Sequence, residues 1–206
     1  MSIAKRLILA STSRFRAQVL KSAGIEFDAI GPEVDEKSIN CPTPAETAIA
    51  RAEAKALEVS AKNKDSVVIG ADQMLSLGQR TFTKAQDINE ARRRLIELAG
   101  QTHTLHSGFA LALDGRVLVS HVVDVPMAMR KLTSGEIDRY LATGEWRGAV
   151  GCYQAENLGI QLFESIGGDT TAVVGMPMPQ ILTALRSIGL NTLESPQGPW
   201  GLSLPG

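Results

Sequence analysis

The chain has 206 residues, of which 44% are hydrophobic and 21% charged, and its 21 basic and 22 acidic residues leave a net charge of −1. That length suits one sizeable core, and the balance excludes a disordered chain. It also lacks the basic field of a general nucleic-acid or membrane-surface binder, although a small anionic ligand needs only a local basic pocket.

The first residues run into only four apolar ones, Leu7 to Ala10, too few for a signal-peptide core, and no stretch approaches a membrane span. Two thiols, Cys41 and Cys152, lie far apart with no Cys-x-x-Cys spacing, which argues against a disulfide framework or a zinc site. The expectation is a cytoplasmic protein.

Leu7-Ile8-Leu9-Ala10 reads as a buried strand that breaks at Ser11-Thr12-Ser13. Phe15, Val19, Leu20 and Ala23 then recur at helical spacing until Gly24 stops the helix. A strand, a serine-rich turn and a helix start present backbone N–H groups and hydroxyls to an anion. Ser11, Ser13, Arg14 and Arg16 surround this turn. Ser13 is equally a good N-cap, and the two arginines could be a solvated first turn.

Glu26 to Ile30 suggests a second strand, followed by a loop with Glu33, Asp35 and Glu36. Thr43-Pro44-Ala45-Glu46 is a capping box opening a helix to about Ala61, with Ala45, Ile49, Ala52, Ala56 and Val59 as its inner stripe and Arg51 and Lys55 on a neighbouring face. Ser66 to Asp72 reads as a buried strand that ends on an acid, where open α/β sheets place ligands. Lys84 follows in a loop. Asp87 caps a helix with the stripe Ile88, Ala91, Leu95 and Leu98.

Residues 102–113 and 116–127 form two long strands about Asp114-Gly115, a hairpin signal. Thr133 to Glu136 caps another helix, with Leu132 and Ile137 as a hydrophobic staple. A glycine-rich stretch runs from Gly144 to Gly175, and a last helix opens near Pro177 with Ile181, Leu182, Leu185 and Ile188 inward. The organisation is one domain over 1–192 and a Pro/Gly-rich tail over 193–206, loosely held. Early alternation of strands and helices plus an antiparallel pair implies a mixed α/β sheet.

Hydrolysis of a phosphoanhydride needs cations for the phosphates, carboxylates for a divalent metal and a base for water. This chain offers each near an element end: Arg14, Arg16, Lys55 and Lys84; Glu33, Asp35 and Glu36; and Asp72. No GxxxxGK[ST], GxGxxG or GxSxG motif is present. His103 and His106 lie three apart on a strand, hence on opposite faces, and with His121 read as hairpin residues rather than metal ligands. Trp146 and Trp200 are too scattered for a base-stacking platform.

Taken in order, these segments resemble the Maf nucleoside triphosphate pyrophosphatases. The resemblance is carried by Leu7 to Arg16, Val34-Asp35-Glu36, Glu53 to Ala56, Ile69 to Gln73, Thr83-Lys84-Ala85, Gly151-Cys152-Tyr153 and Val174 to Pro177. It implies an α/β fold of the Maf/inosine triphosphatase-like type: a mixed twisted sheet with flanking helices and two lobes around a cleft. It also implies a divalent cation, Mg or Mn, and often a homodimer.

By the same resemblance Asp72 would be the proton acceptor, with Lys55 and Lys84 on the triphosphate. Ser11, Ser13 and Arg16 would surround the phosphates, with Arg14 at the same turn on its own chemistry rather than by resemblance, and Glu36 would face the metal. One branch of the family prefers dTTP and UTP; the other prefers 7-methyl-GTP and carries an aromatic residue, Gln and Glu at three selectivity positions. Phe15, Gln73 and Glu156 match the second branch. An aromatic face can stack on a cationic methylated purine, and a carboxylate can accept its N–H donors.

The chain departs from the family at Arg14 (usually Pro), at Thr83 and Ala85 (Gly and Pro) and at Ala149-Val150 (Lys-Ala). The expected activity is release of diphosphate from a nucleoside triphosphate. The alternatives are the dTTP/UTP preference and a non-catalytic nucleotide-binding regulator of cell division.

Overall fold

The computed structural model describes residues 6–193, so the tail expectation over 194–206 lies outside the described residues. The strands are β1 (Arg6–Ala10), β2 (Asp28–Ile30), β3 (Ser66–Leu77), β4 (Arg80–Phe82), β5 (Thr102–Leu113), β6 (Arg116–Met129) and β7 (Phe163–Ile166). The helices are α1 (Arg14–Ser22), α2 (Pro44–Lys62), α3 (Ile88–Leu98), α4 (Ser134–Ala142), α5 (Thr170–Val173) and α6 (Met178–Ser187). The strands form one mixed sheet in the order β2-β1-β3-β5-β6-β7, with β4 added to β3. The mixed α/β expectation is met.

Local signals place most of these elements. Thr43 and Glu46 close the capping box of α2, and Thr133 and Glu136 close that of α4. Asp114 and Gly115, with φ of 51° and 79°, form the tight turn between β5 and β6. Four short elements had no periodicity to announce them: β4, β7, α5 and a 3₁₀ turn at Leu158–Leu162. The last three fall inside the glycine-rich stretch. The β2 strand is also shorter than expected.

Alternation along β3 and β5 decides where the layers pack. Ile69, Ala71, Phe109 and Leu111 join α1 and α6 in one apolar cluster. Leu75, Leu105, Val125 and Met127, on the same sheet face further along, join α3 and α4 in a second. Gln73 and Ser107, paired across the strands, separate the two clusters. One sheet face thus carries two apolar clusters with a polar seam between them.

The other face carries Ile8, Ala10, Val68, Ala110 and Ala112 under Ala52, Ala56 and Val59 of α2. Within α2 the stripe differs from expectation. Ala48 is buried, whereas Ala45 and Ile49 are half-buried. Ile88, expected in the α3 stripe, is exposed, because as the first helical residue it lies outside the packed turn.

The packing of α2 is set by two glycines. A Cβ on Gly70 would lie 2.1 Å from the Ala52 carbonyl oxygen, and one on Gly108 would lie 2.6 Å from that of Ala48. The α2 backbone cannot give way cheaply at either point. Gly70→Ala and Gly108→Ala are each expected to cost about 2 kcal/mol or more. That is a fall of about 4–8 °C in melting temperature for a chain of this size. Gly135→Ala, whose Cβ meets nothing nearer than 3.8 Å, is the control and should be neutral or slightly stabilising. Thermal unfolding of the three variants checks this.

Candidate functional site

The expectation that Asp72 ends its strand is corrected: β3 continues to Leu77. What ends is the neighbour. β1 pairs with β3 only as far as Gly70, and β4 rejoins the same edge at Leu75. Residues 71–74 therefore form a gap in the ladder, and Asp72 lies in it, just past the carboxyl end of a parallel strand. Open sheets bind ligands in such a place.

Two cations converge on the gap. Arg16 Nη1 donates to the Ala71 carbonyl at 2.7 Å and Nε donates to the Gly175 carbonyl at 3.2 Å. Gly175 has φ of 82°, and a Cβ there would press on Arg16 at 3.3 Å, so glycine both makes the turn and leaves room for the guanidinium. Burial pushes the Arg16 pKa down, against the pull of Asp72 and Glu36.

Ser13 Oγ caps α1 by accepting from the Arg16 N–H, and Ser11 Oγ accepts from the Ser13 N–H at 3.1 Å. The capping role of Ser13 is thus real. The first turn of α1 holds no acid and two arginines. That arrangement opposes the helix dipole and suits an incoming anion.

Lys55 is the second cation. The structure places it inside the buried stripe of α2, beside Ala52, Ala56 and Val59, and not on a neighbouring face. It is 4% exposed. Its Nζ lies 2.7 Å from Asp72 Oδ1, 3.0 Å from Glu36 Oε1 and 3.4 Å from the Ala71 carbonyl. Three acceptors meet three donors. Asp72 is 6% exposed, and its Oδ2 is buried without a hydrogen-bond partner.

Glu36 reaches this point because α2 holds its loop. Arg51 Nε donates to the Ile39 carbonyl, and Glu58 Oε2 accepts from the Glu33 N–H. Arg51 and Glu58 thus grip the loop on either side of Lys55, a role sequence reasoning missed. Their i, i+4, i+7 spacing on one helix face was the available signal. The other two acids stay outside: Glu33 pairs with Lys62 at 2.9 Å and Asp35 accepts from the Lys37 N–H. Partial burial pushes the Glu36 carboxyl up. Lys55, with help from Arg16 and Lys84, outweighs this and holds it below the usual carboxylate range.

Lys84 is exposed in the loop after β4, near enough to Glu36 to act on it. Gln73, one residue from Asp72, points to the opposite sheet face. Its Nε2 donates to Ser107 Oγ and to the carbonyls of Ala172 and Val173, all within 3.0 Å. The Arg14 guanidinium lies 4.8 Å from the centroid of the Phe15 ring. Loss of solvent pushes the Glu156 carboxyl up. Its own backbone N–H opposes this, Glu145 adds to it, and Arg14 pulls back, with a net rise. Arg14, in the first turn of α1, is thus near enough to Glu156 to act on its charge.

His103, His106 and His121 all lie on the β5–β6 hairpin, as expected. His103 is buried against Tyr153, its Nε2 lying 2.6 Å from the hydroxyl, and burial drives its pKa down to about 4. A Cβ at Gly151 would strike the Tyr153 ring at 2.2 Å, so the Gly151-Cys152-Tyr153 segment is shaped by this packing. Cys41 and Cys152 are both free.

Ser76 Oγ, His106 Nε2 (2.8 Å), His106 Nδ1 and Asp124 Oδ1 (2.7 Å) form a chain with the connectivity of a catalytic triad. Ser76, however, lies mid-strand between Thr81 and Thr104, where the ladders use the backbone N–H groups an oxyanion would need. The chain ties three strands together. Among the described residues no three His, Cys, Asp or Glu side chains converge as a metal cluster. No helix among them is long and apolar enough to cross a membrane.

Two outcomes follow from the charge arrangement. Lys55→Met strands the buried Asp72 carboxylate and is expected to cost about 3–5 kcal/mol, with part recovered in the Lys55→Met/Asp72→Asn double variant. Denaturant titration reads both. Because the folded Glu36 carboxyl is held below the usual carboxylate range, its stabilising contribution is complete above that range and fades as acid protonates it. The stability difference between wild type and Glu36→Gln should therefore shrink as pH falls from 5 toward 3. A constant difference would contradict the ion pairing.

Residues 6–188 match the profile of the family described as Maf-like protein. A 7-methyl-GTP pyrophosphatase of Brucella abortus is 46% identical over 189 residues, 88% of this chain and 95% of its own length. One of the same description from Mesorhizobium japonicum is 43% identical, covering 90% and 97%. A nucleoside triphosphate pyrophosphatase of Caulobacter vibrioides is 41% identical, covering 90% and 96%. On this match over nearly all the described residues, the chain belongs to the Maf family.

Proposed function

We propose that this chain is a nucleoside triphosphate pyrophosphatase, cutting 7-methyl-GTP by preference into the nucleoside monophosphate and diphosphate. The observation that carries this reading is the state of Asp72. One carboxylate oxygen is held by Lys55, while the other is buried in the ladder gap with no partner. A buried, unpartnered carboxylate oxygen is costly unless something else meets it. A water molecule about to lose its proton fits that atom.

In this mechanism Asp72 Oδ2 orients water and takes its proton as the water oxygen bonds to phosphorus. That phosphorus is the α one: its bond to the α–β bridging oxygen breaks and the oxygen leaves with the diphosphate, so one water and one triphosphate give monophosphate and diphosphate. Arg16 and Lys84 face the phosphates from the two sides of the gap, with Ser11, Ser13 and Arg14 around them. Lys55 is engaged by three protein acceptors in this structure. It reaches a phosphate oxygen by giving up half-exposed Glu36, the more replaceable partner.

The donor set fits a divalent ion, Mg or Mn. Glu36, once released from Lys55, would supply a hard oxygen ligand beside the gap, and such ions take one or two carboxylates and complete their shell with phosphate and water. Bound there, the ion would neutralise charge on the phosphates.

The 7-methyl-GTP preference rests on Phe15, Gln73 and Glu156, and on the names of the Brucella and Mesorhizobium relatives. Phe15 offers a face for the cationic base and Glu156 accepts its N–H groups, while Gln73 lines the seam. The enzyme is expected to work in the cytoplasm and as a homodimer.

The test is release of diphosphate from 7-methyl-GTP, dTTP and UTP with magnesium. The expected order places 7-methyl-GTP first. Asp72→Asn should lower kcat about 10²–10⁴-fold. Phe15→Ala with Glu156→Gln should erode the preference for 7-methyl-GTP. Tight nucleotide binding without turnover, or an Asp72→Asn variant as fast as wild type, would overturn this reading.

A further inference from the structure

A second cation occupies a buried helix stripe. Arg94 lies among Ala91, Leu95 and Leu98 on the inner face of α3 and is 5% exposed. Its Nη1 donates to the Thr83 carbonyl, the residue before Lys84, and to the Val150 carbonyl at 2.7 Å. Its Nη2 donates to Glu90 Oε1 at 2.8 Å. The other oxygen of Glu90 accepts from the Gln86 N–H at 2.9 Å, and Gln86 Nε2 donates to the Lys84 carbonyl at 3.1 Å. The guanidinium also sits 5.3 Å from the centroid of the Phe82 ring.

The loop at Thr83-Lys84-Ala85 contains no proline or glycine to fix its own backbone. Besides the local Gln86–Lys84 bond, its path is set at the Thr83 carbonyl, the Ala85 N–H and the Gln86 N–H. All three lead to Arg94, one directly, one through Cys152 and one through Glu90. The same guanidinium ties the loop to residue 150, on a separate segment of the chain. A planar fork can hold two carbonyls and a carboxylate at once; an ammonium is a single point of attachment.

We propose that Arg94 is a positioning residue that sets the placement of Lys84 beside the phosphate site. The proposal rests on the reading of Lys84 as a phosphate ligand. It requires that losing Arg94 cost phosphate affinity only while Lys84 is present, whereas a residue that merely supports the core would cost the same either way.

The experiment is a double-mutant cycle on binding of inorganic tripolyphosphate with magnesium, read by calorimetry on the full chain, using Arg94→Gln, Lys84→Ala and the double variant. Arg94→Gln is expected to weaken binding about tenfold in the wild-type background and less than about twofold in the Lys84→Ala background. Arg94→Lys, which keeps the charge and loses the fork, should fall between wild type and Arg94→Gln.

If Arg94→Gln does not fold, Arg94→Lys and Glu90→Gln are read in the same cycle. Equal losses in the two backgrounds, no loss in wild type, or tripolyphosphate binding indifferent to Lys84 would overturn the proposal. Turnover of 7-methyl-GTP is measured in parallel, with the effect expected in KM more than in kcat. A wild type that binds tripolyphosphate through Lys84 but releases no diphosphate would overturn the activity and leave the cycle for Arg94 readable.

Discussion

One ammonium group holds the centre of this protein together. Lys55 sits in a helix stripe that is otherwise apolar and small, over a sheet face brought close by Gly70 and Gly108. An isolated charge there would be prohibitive, because desolvation in such a place costs several kcal/mol. It is tolerated because Asp72, Glu36 and a backbone carbonyl meet its three donors. The close approach of α2 and the loop that carries Glu36 therefore depend on one set of contacts. So does the state of Asp72, one oxygen paired and one left over.

The gap in the β3 ladder gives those contacts a setting. A continuous neighbouring strand would occupy the edge of residues 71–74. Because β1 stops and β4 begins later, the edge is left to side chains: Arg16 and Lys55 both take the Ala71 carbonyl. On the opposite face Gln73 and Ser107 interrupt the apolar surface and divide it into two clusters. The site thus backs onto the seam between two apolar clusters, at a point where the backbone has unpaired edge. Charged and polar side chains can enter there without breaking a strand pairing.

Much of this was legible in the chain itself. The capping boxes at Thr43 and Thr133 work through neighbours three residues away, as does the Asp114-Gly115 turn through its own φ angles, so short windows reveal them. Asp72, Lys55, Glu36 and Arg16 were also identifiable, because ordered motifs mark residue types. Their relations were not. The strand end assigned to Asp72 was wrong because an apolar run does not reveal where a neighbouring strand stops. The gripping roles of Arg51 and Glu58, the stripe position of Lys55 and the bracing by Arg94 all depend on partners distant in sequence.

The sequence by itself determined the elements with local periodicity, the mixed α/β class and the residue types suited to phosphoanhydride chemistry. All of these follow from spacing along the chain and side-chain chemistry. The tertiary structure alone decided which of three loop acids meets Lys55, which oxygen of Asp72 is left without a partner, and that Gln73 faces away from Asp72. Those outcomes depend on contacts between segments tens of residues apart. There, hydrogen-bond geometry and burial choose among groups that look equivalent in one dimension.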